Sequence, residues 1–245
     1  MINSFNWKDL GTQFEKNHFA VIDNFFDDTF IDRIADSFPD YNSDVWNAEY
    51  NSPLENKKAC NIWDRFPDDL YRTMYFLNTD EFLENIYEMM GTKEIFSDFG
   101  LHGGGLHAHS TGGFLNMHKD YETHPKLMLT RKLNLIVYLT KDWDSNWNGG
   151  LEFRVNNNQD CIGKIECKFN RAVLFDTTVD MWHGLPDKIT CPANISRNSL
   201  AIYYYIAPDM SKLGQGRMRA LFSPAPHQVG DAEIEKLIKL RSERK

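Results

Sequence analysis

Two histidines and an aspartate stand at spacings that allow them to share one metal ion. His118, Lys119 and Asp120 form an HxD pattern at the end of a segment with strand character. Residues i and i+2 of a strand point to the same face, so the imidazole and the carboxylate reach one point together. HxD alone is a weak signal, as any three-residue motif is. His183, in MWHGLP, follows 63 residues after Asp120. Two imidazoles and one carboxylate from separate strands fill one triangular face of an octahedron, leave three positions open and suit non-heme Fe(II). The alternative is that His183 caps a strand or satisfies a buried backbone group. Fourteen residues further on come Arg197 and Ser199, in ISRNSLAIYYY. An arginine entering so apolar a strand is costly without an anionic partner. Its planar fork suits a carboxylate. Taken singly, it reads as a surface residue at a strand mouth.

These side chains need a scaffold of strands. From Ile95 to Ile206 short apolar runs alternate with Gly, Asn, Asp and Pro. The pattern predicts strands over 114–118, 133–140, 151–155, 162–168, 171–175 and 200–206, as in an antiparallel sandwich or barrel. Before Gly91 helical signals dominate. Asp27 or Asp28 can cap a helix bearing Phe30, Ile31, Ile34 and Phe38 on one face, which Pro39 stops. A second helix is expected over 79–90, with Gly91 as its C-terminal stop. FAVIDNFF (Phe19 to Phe26) reads as a strand, and the segment from Asp231 as a terminal helix. The expected fold is mainly β with flanking helices (α+β), in one domain over 1–245. Within it, 1–91 is a mostly helical support, 92–208 the β-core and 209–245 an extension with a helix.

Composition narrows the class of function. With 27 Lys plus Arg against 35 Asp plus Glu, the formal charge is −8. That balance argues against nucleic acid or an anionic membrane as partner. Four scattered cysteines make no disulfide framework, and there is no CxxC pair for a zinc ribbon or a thioredoxin-like site. The N-terminal residues carry no signal-peptide pattern, and the longest apolar run, Leu133 to Leu139, is too short to span a bilayer. A reducing cytoplasm is the expected location.

HxD, a distal His, then Arg-x-Ser on the next apolar strand resembles the pattern of the 2-oxoglutarate/Fe(II)-dependent oxygenases. The likeness is closest to the prolyl 4-hydroxylase-like branch. RKLNLIVYLTKDW…NGGLEF (Arg131 to Phe153) resembles that branch's strand, turn and Gly-Gly hairpin after HxD. RAVLFDT…MWHGLP resembles its strand leading to the distal His, and FAVIDNFFDD its N-terminal support.

The resemblance implies a double-stranded β-helix (jelly roll, cupin-like) core and Fe(II) held by His118, Asp120 and His183. Arg197 would pair with the distal carboxylate of 2-oxoglutarate, with Ser199 or Tyr138 donating a second hydrogen bond. The alternative for Tyr138 is a core strand aromatic. Asn134 shares its face by the period of two and would also line the pocket. His107 and His109 fall where the first core strand nears the cosubstrate. The segment between His183 and Arg197 is longer than in the tightest family members.

The implied reaction consumes O2, decarboxylates 2-oxoglutarate to succinate and CO2, and hydroxylates a C–H bond, with ascorbate as an accessory reductant. Retention of Asp120 favours hydroxylation, since related halogenases replace that carboxylate with a small residue. Candidate substrate-side residues are Tyr121, Arg131 and Trp143. Tyr121 to Lys132 is long enough to be a lid, and Lys126, Arg131 and Lys132 would give a locally positive mouth. The substrate is expected to be a prolyl residue in a protein or a small metabolite. Alternatives are an inactive β-helix binding or sensor module, or a cupin-type isomerase or metal-storage barrel. The last would leave Arg197 without a purpose.

Overall fold

The computed structural model describes residues 1–212 and 214–243. The remaining three residues of the 209–245 extension lie outside the described residues. The first half contains α1 (Trp7–Asn17), β1 (Phe19–Ile22), α2 (Asp28–Asp36), β2 (Ala48–Ser52), β3 (Glu55–Cys60), α3 (Asp68–Phe76) and α4 (Asp80–Met90). There follow β4 (Gly105–His109), β5 (Phe114–Lys119), β6 (Thr130–Tyr138), β7 (Leu151–Val155) and β8 (Asp160–Ile165). Then come β9 (Ala172–Asp176), β10 (Trp182–Leu185), β11 (Arg197–Ile206), β12 (Leu221–Phe222) and α5 (Ala232–Ser242).

The helix termini follow the local chemistry. Asp27 accepts a hydrogen bond from the Phe30 amide at the start of α2, and Gly91 adopts a left-handed conformation at the end of α4. α1 was not anticipated from the sequence. Asn6 caps it, and Trp7 and Phe14 are buried.

All sheet pairings are antiparallel, in the order β1-β9-β6-β11-β4-β3-β5-β10-β7-β8, with β2 on β3 and β12 on β5. The sheet curls into a double-stranded β-helix. Alternation along β6 and β11 divides their side chains between two environments. Leu133, Leu135, Val137, Leu200, Ile202 and Tyr204 pack with the helices in the main core. The alternate residues, among them Asn134, Ile136, Arg197, Ser199 and Tyr203, face the interior of the β-helix.

Two expectations need correction. Residues 1–91 are not only a helical support: β3 is inserted between β4 and β5 and brings Glu55 and Lys57 to the interior. The strand expected over 19–26 ends at Ile22. Asn24 there turns left-handed, and Phe25 and Phe26 leave the sheet for the helical core.

The crossing of β3 and β4 depends on Gly105. Its φ is +104°, and a Cβ at that position would overlap the carbonyl oxygen of Cys60 on β3. Backbone on both sides leaves no flexible neighbour to yield. Gly105→Ala is expected to destabilise the fold by about 3 kcal/mol or more, read by urea unfolding. A loss below about 1 kcal/mol would show that the two strands can separate there.

Candidate metal centre and anion pocket

His118 and His183 are register partners on β5 and β10, with ring centroids 4.3 Å apart. Between this pair and the Leu115–Leu185 pair, β5 carries one residue more than β10, an irregularity of bulge type. It leaves both Leu115 and His118 in the lining of the interior cavity. Asp120 follows one residue beyond the end of β5. Its Oδ1 lies 3.6 Å from His118 Nε2, and its Oδ2 lies 3.4 Å from His183 Nε2. One donor atom from each of the three residues falls within 4.8 Å of the others. Neighbouring ligands of an octahedral ion with bonds of about 2.1 Å lie about 3 Å apart, so the group is near that geometry.

The surroundings prepare these atoms for a cation. His118 Nδ1 is 3.0 Å from the carbonyl oxygen of Asn116. A carbonyl only accepts, so Nδ1 carries the proton and Nε2 presents its lone pair to the centre. Burial, then neighbouring His118, lowers the His183 pKa to about 4, which leaves that imidazole neutral. Burial would raise the Asp120 pKa, but Arg131 and His183 prevail and hold the carboxyl well below its ordinary range. Arg131 Nη1 lies 3.1 Å from Asp120 Oδ1, while its guanidinium is sandwiched between the rings of Tyr203 and Tyr121, at 3.2 and 4.1 Å. Phe222 and Phe175 cover His118 and His183.

Arg197 stands at the head of β11, 2% exposed. Its Nε donates to the Gly149 carbonyl at 2.7 Å, and its guanidinium lies 4.8 Å from the centre of the Tyr138 ring. No carboxylate among the described residues forms an ion pair with it. The Tyr138 hydroxyl is buried without a partner, and burial raises its pKa to about 12. Ser199 pairs across the sheet with Tyr138 on one side and His107 on the other. Asn134 lines the same cavity with an unpartnered Oδ1. His109, opposite Arg197 on β4, is buried with both ring nitrogens unpartnered. A buried guanidinium beside unpartnered polar groups is complementary to an absent anion. The arrangement therefore fits an iron ion at the triad and a carboxylate at Arg197.

The substrate-side expectations fare unevenly. Tyr121 and Arg131 line the cavity. Trp143 does not: it packs edge-on against Trp147, donates to the Asn148 carbonyl and belongs to the hairpin behind Arg197. The segment 121–132 is a pinned turn rather than a free lid. Thr123 bridges Thr130, and the Glu122 and Thr123 amides donate to the Arg217 carbonyl. Of its three cations, Arg131 is paired with Asp120 and Lys132 with Asp176 at 2.6 Å, and Lys126 does not line the cavity. Sequence reading missed Glu55, Lys57, Phe222 and Arg241, which also line the cavity. The polar run ENKKAC carries no strand signal that would have placed the first two.

The buried histidines make the metal-free protein acid-sensitive. Burial first, then Lys57 and Arg197, lowers the His107 pKa to about 3, and burial with Arg197 puts His109 well below 6.5. With folded values depressed, the unfolded chain takes up protons first. Stability is complete above pH 6.5 and declines as pH falls toward 3–4. Each of His107, His109 and His183 accounts for about 1.4 kcal/mol of loss at pH 5.5. The metal-free Tm should fall by about 10 °C between pH 7.5 and 5.5. An unchanged Tm would contradict the neutral assignment.

Sheet order and side-chain placement together give a double-stranded β-helix whose interior carries three residues that could hold a metal ion. Residues 104–205 match the sequence model of the 2OG-Fe(II) oxygenase superfamily. The matched stretch is 102 of the 245 residues and contains His118, Asp120, His183 and Arg197. A comparison with curated protein sequences finds no match. Among solved structures, a Pseudomonas putida prolyl-4-hydroxylase aligns with a TM-score of 0.58 at 12% identity, over 82% of this chain and 99% of the other. A Trichoplax adhaerens prolyl hydroxylase in complex with a hypoxia inducible factor peptide fragment gives 0.56 at 17%, over 80% and 87%. HygX from Streptomyces hygroscopicus, with nickel, 2-oxoglutarate and hygromycin B bound, gives 0.55 at 11%, over 83% and 88%. At these identities the likeness is one of fold.

Proposed function

We propose that the protein is a 2-oxoglutarate-dependent hydroxylase of the prolyl 4-hydroxylase-like type, acting on a C–H bond of a peptidyl or small-molecule substrate. The observation that carries the reading is the pairing of a complete His118–Asp120–His183 face with Arg197, buried in the same cavity without a counter-anion among the described residues. His118, Asp120 and His183 hold the ion. Arg197 takes the distal carboxylate of 2-oxoglutarate, with Tyr138 or Ser199 donating to it and Asn134 beside it. Bound iron and 2-oxoglutarate supply the oxidising chemistry, which releases CO2 and succinate and places one oxygen atom on the substrate. The chain itself positions and excludes water: Phe175 and Phe222 shield the imidazoles, and Arg131 keeps Asp120 ionised and oriented. Asp120 occupies the position that a halogenase would leave to chloride.

Both kinds of substrate find a counterpart among proteins of this fold, one with a peptide fragment and one with hygromycin B. Tyr121 and Arg131 are the residues proposed to face the substrate. A panel of proline-containing peptides and free amino acids, scored by 2-oxoglutarate consumption above the uncoupled rate, tests the type. Stimulation by prolyl peptides is the expected result. Stimulation by non-prolyl metabolites alone would replace the prolyl reading with the small-metabolite one.

A further inference from the structure

The cavity at the triad continues into a vestibule of about 470 Å3, and the two share Tyr50, Lys57, His107, Tyr121, Phe222 and Arg241. The vestibule's charge is opposite to that of the whole. The chain carries −8, yet among the described residues the vestibule lining contains Lys57, Arg219 and Arg241 and no carboxylate. These three come from β3, the segment before β12, and α5, so no local run of basic residues explains their meeting.

Part of the positive charge around the vestibule is left uncompensated. Inside, Arg131 is matched by Asp120. Arg197 and the ion answer the charge of 2-oxoglutarate. Deeper than the vestibule, Glu55 lies 3.3 Å from Lys57 Nζ and 2.6 Å from Arg241 Nη2. Burial would raise the Glu55 pKa, but Lys57 and Arg241 overrule it, so this carboxylate is charged. One carboxylate between two cations leaves one positive charge. Arg219, exposed at the rim, makes no ion pair among the described residues and adds another. Two of the cations are fixed by aromatic rings, Lys57 over Tyr50 at 5.2 Å and Arg241 over Phe222 at 4.7 Å. Phe222 in turn covers His118, so the cationic wall is continuous with the metal site.

We infer that the substrate carries an anionic group, a carboxylate or a phosphate, which docks between Lys57, Arg219 and Arg241 while its reacting C–H bond points inward to the triad. The inference rests on the oxygenase reading and names the substrate class for that site. Partly desolvated cations bind an anion more strongly than surface ones and steer its approach.

The test uses the full chain loaded with Mn(II), a redox-inert substitute for Fe(II), and one equivalent of 2-oxoglutarate. Inorganic phosphate and N-acetylglycine are titrated separately by calorimetry at low ionic strength. At least one should bind saturably, about tenfold more weakly in Lys57→Gln and in Arg241→Gln. Arg241→Lys should recover most of the loss. Preference for phosphate assigns a phosphorylated substrate, and preference for N-acetylglycine a carboxylate. Absence of binding to the wild type, or equal binding by the Lys57→Gln/Arg241→Gln double variant, would overturn the inference. Mn(II) and 2-oxoglutarate binding by the same samples is read first. Failure there removes the oxygenase reading instead, and the anion titration on the unloaded protein still reports on the vestibule.

Discussion

Replacing Arg197 with Ala is expected to raise the 2-oxoglutarate concentration for half-saturation by about 30-fold or more, while the Fe(II) requirement moves by less than about threefold. The asymmetry follows from placement. Arg197 is 2% exposed, held through Nε by the Gly149 carbonyl, and has no carboxylate partner among the described residues. Its guanidinium otherwise meets only the neutral Tyr138 and Cys167 side chains, so its charge is open to a ligand carboxylate. Truncating one member of a buried charged pair costs about 2–5 kcal/mol, and each 1.4 kcal/mol is tenfold in affinity. Arg197→Lys keeps the charge but not the fork, and should fall between wild type and Ala. In the proposed function iron is held by other residues, so its requirement is the internal control. Equal shifts in both requirements would show that Arg197 maintains the cavity rather than binding the cosubstrate.

The second large effect separates two triad members that an activity assay would treat alike. His118→Ala and Asp120→Ala should each lower turnover by about 10³-fold or more, since loss of even an outer-shell partner costs 10–100-fold in a metal site. Their effects on the metal-free fold should differ. Asp120 is the counter-charge of Arg131, which is 1% exposed and wedged between Tyr121 and Tyr203. Removing the carboxylate leaves a buried cation unpaired, at a cost of about 3–5 kcal/mol. His118 has no such dependent. Its loss removes an imidazole from between Phe222 and His183, about 1–2 kcal/mol. Chemical unfolding without metal should therefore rank Asp120→Ala as the less stable variant. A reversed order would mean that Arg131 finds another anion or reaches solvent. Asp120→Ala/Arg131→Met should recover much of the stability without recovering metal binding.

What the sequence made legible was the part that repeats at short period or in fixed motifs. HxD at a strand end, the distal His and the Arg-x-Ser strand mark their own positions because strand alternation fixes which side chains share a face. The capped helices α2 and α4 were equally visible, through Asp27 and Gly91. The β2–β3 hairpin was not. Its residues are mostly polar, and β3 gains its place by pairing between β4 and β5. Tertiary pairing decides such strands, not propensity. With β3 came Glu55 and Lys57, and from far along the chain Arg241 and Phe222, a wall assembled wholly by long-range contacts. Arg131 shows the other limit. Its type suggested a cation for an anionic substrate, but only the structure shows it paired with Asp120 beside the metal face.

His118, Asp120 and His183 are proposed to bind Fe(II) beside a cosubstrate held by Arg197. Anaerobic addition of Fe(II) and then 2-oxoglutarate, followed by visible absorption, tests it most directly. A weak charge-transfer band should appear only when both are present and should be absent in His118→Ala. In Arg197→Ala it should require far more 2-oxoglutarate. No band in the wild type, together with no succinate formed from 2-oxoglutarate in air, would contradict the account.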